Sequence, residues 1–348
     1  MRGFTSLAGC LLLGTAFLIP LVGCQRVSAD GDKFAGGRDK NSDKDAEPVK
    51  KEPAVRFAED REPMDVKAIS FDGKRAMKYL TDLCAIGPRI SGTEEMTKQQ
   101  DIIRKHFEKL GAKVEMQKFD GKQPSQRKAV PMINMIVSFQ PEAKKRVMFC
   151  GHYDTRPIAD QEPRERDWRK PFLSANDGTS SVAFFMELGH HVKDMKLNVG
   201  LDFVIFDGEE FINDNKIDRF FLGSNYFADQ YRKNKGEPKY IAAILLDLFA
   251  GKDAVFPVEG HSHFHSAELV EEIYREAKAQ GVKSFVWTQG HTVEDDHLAL
   301  IRAGIPAIDI LDFDYKHWHK LTDTPEQCSG EKMAEVAKVL VAWVQKVK

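Results

Sequence analysis

Three apolar runs in this sequence each stop at side chains that bind metals or move protons. Arg146 to Cys150 leads into Gly151-His152-Tyr153-Asp154, Leu201 to Phe206 into Asp207-Gly208-Glu209-Glu210, and Ile241 to Leu246 into Asp247. Asp177 follows a loop and opens a further apolar stretch, and His319 lies in a loop after a last run, Ile305 to Leu311. A lone His or Asp at such a place is ordinarily a cap or a solvated loop residue. Several in this order form a donor set. Imidazole and carboxylate are ligands that suit Zn²⁺, and a second glutamate beside a ligand glutamate supplies a general base.

Groups so far apart in sequence need a scaffold that delivers strand ends to one place. Apolar strand-like runs alternate with helical patterns from about Lys67 onward. Ser91-Gly92-Thr93-Glu94 has the form of a capping box and opens a helix through Ile102, Ile103, Phe107 and Leu110, closed by Gly111. Val114 to Phe119 and Met132 to Phe139 read as strands. Gly178 to Val192 reads as a buried helix, Ser266 to Gln280 and His297 to Ala303 as further helices, and Glu331 to Val347 as a terminal helix capped by Ser329. The alternation predicts an α/β fold of three layers, a mostly parallel twisted sheet with helices on both faces. In open sheets of that kind ligands sit beyond the carboxyl ends of the strands.

Taken together, Gly151-His152-Tyr153-Asp154, Ala175-Asn176-Asp177-Gly178, Phe206-Asp207-Gly208-Glu209-Glu210, Leu246-Asp247 and Trp318-His319 resemble the ordered metal motifs of the di-zinc aminopeptidase family, which includes aminopeptidases and glutaminyl-peptide cyclotransferases. Gly87-Pro88-Arg89 with Ser91-Gly92-Thr93 is similar to that family's N-terminal segment. The resemblance implies a zinc aminopeptidase-like (phosphorylase/hydrolase-like) fold. It implies Asp177, Glu210 and His319 as ligands of a catalytic zinc, Glu209 as acid/base, and a cis peptide bond at Asp177-Gly178. His152 and Asp247 would bind a second metal in the aminopeptidase pattern, whereas one zinc is expected for a cyclase. Glu294-Asp295-Asp296-His297, Leu245-Leu246-Asp247-Leu248 and Trp318 before His319 resemble the cyclase branch. Asp295 and Asp247 are then expected to act with Glu209, and Trp318, Asp296 and His297 to line the substrate pocket. Under that reading the substrate is a peptide or protein N-terminus bearing Gln. The alternatives are a di-zinc exopeptidase and a binding lipoprotein on an inactive enzyme fold. Two departures stand out: no tryptophan follows shortly after Glu210, and Val182 stands where a disulfide partner for Cys150 would be expected.

The rest of the chain bears on location. A net charge of −2 over 348 residues leaves no electrostatic footprint for nucleic acid. Arg2, the apolar stretch Leu7 to Val22 and the terminal Leu21-Val22-Gly23-Cys24 read as a signal peptide ending in a lipobox. The expected organisation is a leader over 1–23, a lipidated Cys24, a polar tether over 24–65 and a catalytic domain over 66–348. That places the enzyme in a bacterial cell envelope, held to the membrane by lipid alone. Cys84, Cys150 and Cys328 remain, enough for one disulfide that spacing does not assign. His261, His263 and His265 read as a solvated loop leading into the helix at Ser266. No HExxH occurs.

Overall fold

The computed structural model describes residues 66–348. The expected leader, the lipidation site Cys24 and the tether lie outside the described residues. Chain order begins with helices α1 (Gly73–Cys84) and α2 (Glu94–Lys109) and strands β1 (Lys113–Gly121), β2 (Val130–Phe139) and β3 (Lys145–His152). Next come α3 (Ser180–Gly189), β4 (Gly200–Phe206), α4 (Leu222–Lys233), β5 (Lys239–Leu246), β6 (Phe256–Val258) and α5 (Gly260–Ala279). The last are β7 (Phe285–Gln289), α6 (Asp296–Arg302), β8 (Ala307–Ile310) and α7 (Gly330–Val344).

Six strands form one sheet in the order β1-β2-β4-β3-β5-β8, and β6 pairs with β7 in a small parallel sheet. β2 is antiparallel to both its neighbours, whereas β4-β3, β3-β5 and β5-β8 are parallel. Only β2 therefore runs against the rest, in keeping with the predicted mostly parallel sheet. Alternate strand residues serve opposite faces. Val147, Phe149, Phe203 and Ile205 pack under α1, α2, α3, α5 and α7 in the larger core. Met148, Cys150, Val204 and Phe206 face Phe227 of α4 and Leu300 of α6. This is the expected three-layer arrangement. It delivers the carboxyl ends of β3, β4, β5 and β8 to one edge of the sheet.

Three local readings change. Thr93, not Ser91, caps α2, its hydroxyl accepting from the Met96 amide at 3.2 Å. Ser91 Oγ instead donates to Asp207 Oδ1 at 2.6 Å, a buried partner that a local pattern does not reveal. The helix read from Gly178 starts at Ser180, after a non-helical turn through Asp177 (φ −80, ψ 95) and Gly178 (φ +81). The histidine-rich stretch is not a loop but the first part of α5. Cys84, Cys150 and Cys328 are buried free thiols. No helix among the described residues is long and apolar enough to cross a membrane.

Candidate active site

His152 ends β3, Glu209 and Glu210 follow β4, and Asp247 follows β5, so sheet geometry alone brings them to a common edge. Asp177 arrives from the turn ahead of α3. That turn is held from outside: the Asp323 carboxylate accepts from the Asn176 amide at 3.0 Å and the Asp177 amide at 3.2 Å, and Tyr315 Oη donates to Asp323 at 2.7 Å. Gly178 has to be glycine here. Its φ of +81 suits no ordinary side chain, and a Cβ would come within 2.5 Å of His152 Cε1. The family resemblance implied a cis bond at Asp177-Gly178, but the cis bond among the described residues is Glu237-Pro238. The close approach of the turn to His152 is instead made by the left-handed glycine.

The expected ligands converge. His152, Asp177 and Glu210 each offer a ligand atom within 4.8 Å of the others. His319 Nε2 lies 2.6 Å from Glu210 Oε1 and 3.7 Å from Asp177 Oδ2. His152 Nε2 is 3.1 Å from Asp177 Oδ1 and 3.4 Å from Asp247 Oδ1, while its Nδ1 faces Asp154 at 3.6 Å and Glu209 at 3.8 Å. Both expected ligand sets thus meet in one buried cluster. Asp177 Oδ2, Glu210 Oε2 and Asp247 Oδ1 are buried without a hydrogen-bond partner. Burying carboxylate oxygens unpaired is costly, and a divalent cation among imidazole and carboxylate donors removes that cost. The residues present fit zinc.

The electrostatics of the cluster point the same way. Burial first, then the Glu210 and Asp247 charges, push the Asp177 carboxyl up to about 7 against the opposing pull of His152. Burial also lifts Glu209 well above the carboxylate range; His152 opposes it, and Glu210 and Asp295 add to it. Asp295 rises well above its usual value through burial and the neighbouring Asp247 and Asp296 charges. A bound cation counters these shifts for the acids that touch it.

Several partners in this arrangement were not singled out as site residues. Asp154, though part of the His152 motif, serves chiefly as a clamp: it accepts from the Glu209 and Glu210 amides, both at 3.1 Å, and so fixes the tight turn after β4. Arg156 grips Asp160 through Nε at 3.0 Å and Nη2 at 3.2 Å, and Asp160 Oδ1 lies 2.9 Å from His319 Nδ1. Asp160 is held low by His319 and Arg156 although burial opposes them. Glu210 and Asp160 raise the His319 imidazole to about 9 against burial and Arg156. The segment carrying Arg156 and Asp160 reads as an irregular loop, and only their four-residue spacing hints at pairing. Asp309 gave a clearer signal, a lone acid inside the apolar run of β8.

Trp318 is half-buried and lies against His319, ring centroids 4.0 Å apart, with the Phe313 ring also in contact at 5.0 Å. Of the three residues expected to line a substrate pocket, Trp318 alone keeps exposed surface; Asp296 and His297 have none. Both are fully buried, and His297 Nε2 faces Glu259 at 3.4 Å while Nδ1 faces Asp309 Oδ2 at 3.9 Å. α6 turns His297 toward β8, whereas Asp296 faces Ser224 of α4. Asp295 is the N-cap of that helix, accepting from the Asp296 amide at 2.5 Å.

One consequence concerns Asp160, a positioning residue for His319. Asp160→Asn keeps an oxygen for Arg156 but removes the charge that orients and polarises the imidazole. Zinc affinity should fall roughly 10- to 100-fold, read by chelator competition. Unchanged affinity would show that His319 needs no such support.

Comparison with known proteins agrees with this geometry. Residues 134–344 match the model of peptidase family M28. A glutaminyl cyclase from Fimbriiglobus ruber is 51% identical, with a TM-score of 0.80 over 83% of this chain and 100% of that one. A leucine aminopeptidase precursor from Bacteroides thetaiotaomicron is 28% identical, with a TM-score of 0.77 over 81% of this chain and 100% of that one. A glutaminyl-peptide cyclotransferase from Bothrops jararaca is 24% identical over 242 residues; the match covers 61% of this chain and spans 64% of the length of that relative. A sheet edge carrying His152, Asp177, Glu209, Glu210, Asp247 and His319 and a family match across most of the described fold lead to one conclusion: the chain belongs to peptidase family M28.

Proposed function

We propose that this protein is a zinc-dependent glutaminyl-peptide cyclotransferase, which converts an N-terminal glutaminyl residue to pyroglutamate with release of ammonia. The observation that carries the reading is the convergence of Asp177, Glu210 and His319 in one buried cluster, with Glu209 at 3.8 Å from His152 Nδ1 and Asp295 buried at the head of α6. The 51% identity to a glutaminyl cyclase over the whole of that chain supports it.

In the proposed reaction the substrate α-amine attacks its own γ-amide carbon. A ring C–N bond forms, the C–NH₂ bond breaks, and one amine proton must travel to the departing nitrogen. Asp177, Glu210 and His319 would hold a zinc ion, which would supply Lewis-acid polarisation of the carbonyl. Glu209, ionised, takes one proton from the attacking amine and passes it to the departing amide nitrogen, which leaves as ammonia. Burial first, then Glu210 and Asp295, favour the protonated form of Glu209, and Asp247, which is partly exposed, lies 3.4 Å from His152 Nε2. Trp318 shields the reacting end from water. Intramolecular attack has a large proximity advantage, so placing groups and moving one proton is most of what the protein must do. One zinc per chain belongs to this reading, with His152 and Asp247 acting as hydrogen-bonding groups. The apolar segment ending at Cys24 supports export as a lipoprotein, with the enzyme displayed on the outer side of a bacterial membrane.

A di-zinc aminopeptidase would use the same cradle, with His152 and Asp247 as ligands of a second metal. The two separate in a side-by-side assay with a glutaminyl peptide and a leucyl amide. We expect ammonia and pyroglutamate from the first and no free leucine from the second. Free leucine without pyroglutamate would overturn the cyclase assignment.

A further inference from the structure

The stretch Gly260-His261-Ser262-His263-Phe264-His265 has no part in the chemistry above. Helix formation changes what it can do. It lies in α5 ahead of a break at Ser266 (φ −138, ψ 41). Residues four apart on a helix share a face, and the His261 and His265 rings lie 6.1 Å apart, nearly parallel at 23°. His265 is exposed and His261 half-buried. His263 turns elsewhere and meets the exposed Trp287 ring edge-on at 6.3 Å. Two imidazoles at i and i+4 on one helix face are the arrangement by which helical motifs hold zinc. Imidazole suits copper and nickel as well.

The N-terminal end of a helix is a poor place for a cation. Glu259 offsets this, because its carboxylate caps α5 and accepts from the His261 amide at 2.8 Å and the Ser262 amide at 2.6 Å. Bonds from His297 and Ser262 hold it ionised, down at about 2 although burial opposes them. Burial first, then His261 and His297, keep His265 below its usual value. Its ring therefore offers a free lone pair at neutral pH.

We propose that His261 and His265 form an accessory metal site on the surface of α5, for a borderline divalent cation such as Ni²⁺, Cu²⁺ or Zn²⁺, with water completing the coordination. The site does not depend on the cyclase reading. The ring nearest to it on the way to the active site is His297, 6.4 Å from His261.

The probe is Ni²⁺, titrated calorimetrically into protein already loaded with zinc, with elemental analysis before and after. The wild type should take up Ni²⁺ while keeping its zinc. His261→Ala and His265→Ala should each weaken that uptake roughly 10-fold or more, and His263→Ala should leave it unchanged. Circular dichroism checks folding, and His265→Gln stands in if an alanine variant unfolds. The proposal fails if wild type binds no Ni²⁺ beyond exchange with its zinc. It also fails if His263→Ala weakens binding as much as the other two.

Discussion

Glu209→Gln should leave zinc bound while turnover of an N-terminal glutaminyl peptide falls by about 10² to 10⁴, the range general acid/base catalysis contributes. The geometry separates Glu209 from the metal donors. The proposed ligands are Asp177, Glu210 and His319, whose Nε2 lies 2.6 Å from Glu210 Oε1 and 3.7 Å from Asp177 Oδ2. Glu209 instead faces the far side of His152, at 3.8 Å from Nδ1. Its backbone is fixed by Asp154, so the amide side chain replaces the acid in the same place. Glutamine keeps the shape and loses the proton. Elemental analysis on the purified variant, with ammonia release as the activity readout, checks both halves. Loss of zinc would make Glu209 a ligand. Turnover within a few-fold of wild type would move the proton-carrying role elsewhere.

The second large effect is expected at Asp295, and the structure determines which substitution tests it. Because Asp295 also caps α6, alanine removes an N-cap as well as an acid, a stability loss of about 0.5–2 kcal/mol. Asparagine caps nearly as well as aspartate and cannot carry the proton or the charge. Asp295→Asn should therefore keep the thermal midpoint and zinc content of the wild type and lower kcat for cyclisation by about 10²-fold or more, with a smaller change in KM. Asp295 reaches the reaction through its neighbours. Burial first, then the neighbouring acids, push Asp295 and Asp309 well above the carboxylate range, and Glu209 is raised in the same way. Replacing one of these acids is expected to lower the proton affinity of Glu209, the group proposed to pass the proton to the departing nitrogen. A variant with full cyclisation rate would remove Asp295 from the mechanism. Two zinc ions per chain in that same variant would favour the exopeptidase.

What the sequence determined by itself was everything set by local order along the chain. Apolar runs of strand length ending in His152, Glu209, Glu210 and Asp247 were readable because a strand carries its polar terminus with it. In a parallel sheet such termini share an edge, so a donor set was visible before any contact was known. Ser329 as the cap of α7 was legible for the same reason, since its hydroxyl partner, the Lys332 amide, lies three residues on. Tertiary structure decided the rest. Ser91 left its expected cap because Asp207, distant in sequence, offered a buried acceptor. His297 was drawn behind the site by the way α6 packs against β8 and Glu259. Arg156 and Asp160 lay in an irregular loop and acquired a role only when His319 folded back onto them, across 159 residues in the case of Asp160. The histidines of α5 show the same dependence. In a loop their spacing means little, whereas a helical backbone stacks His261 on His265 and turns His263 away. Local patterns settle which groups reach an edge of the sheet; burial and long-range pairing settle which of them face one another.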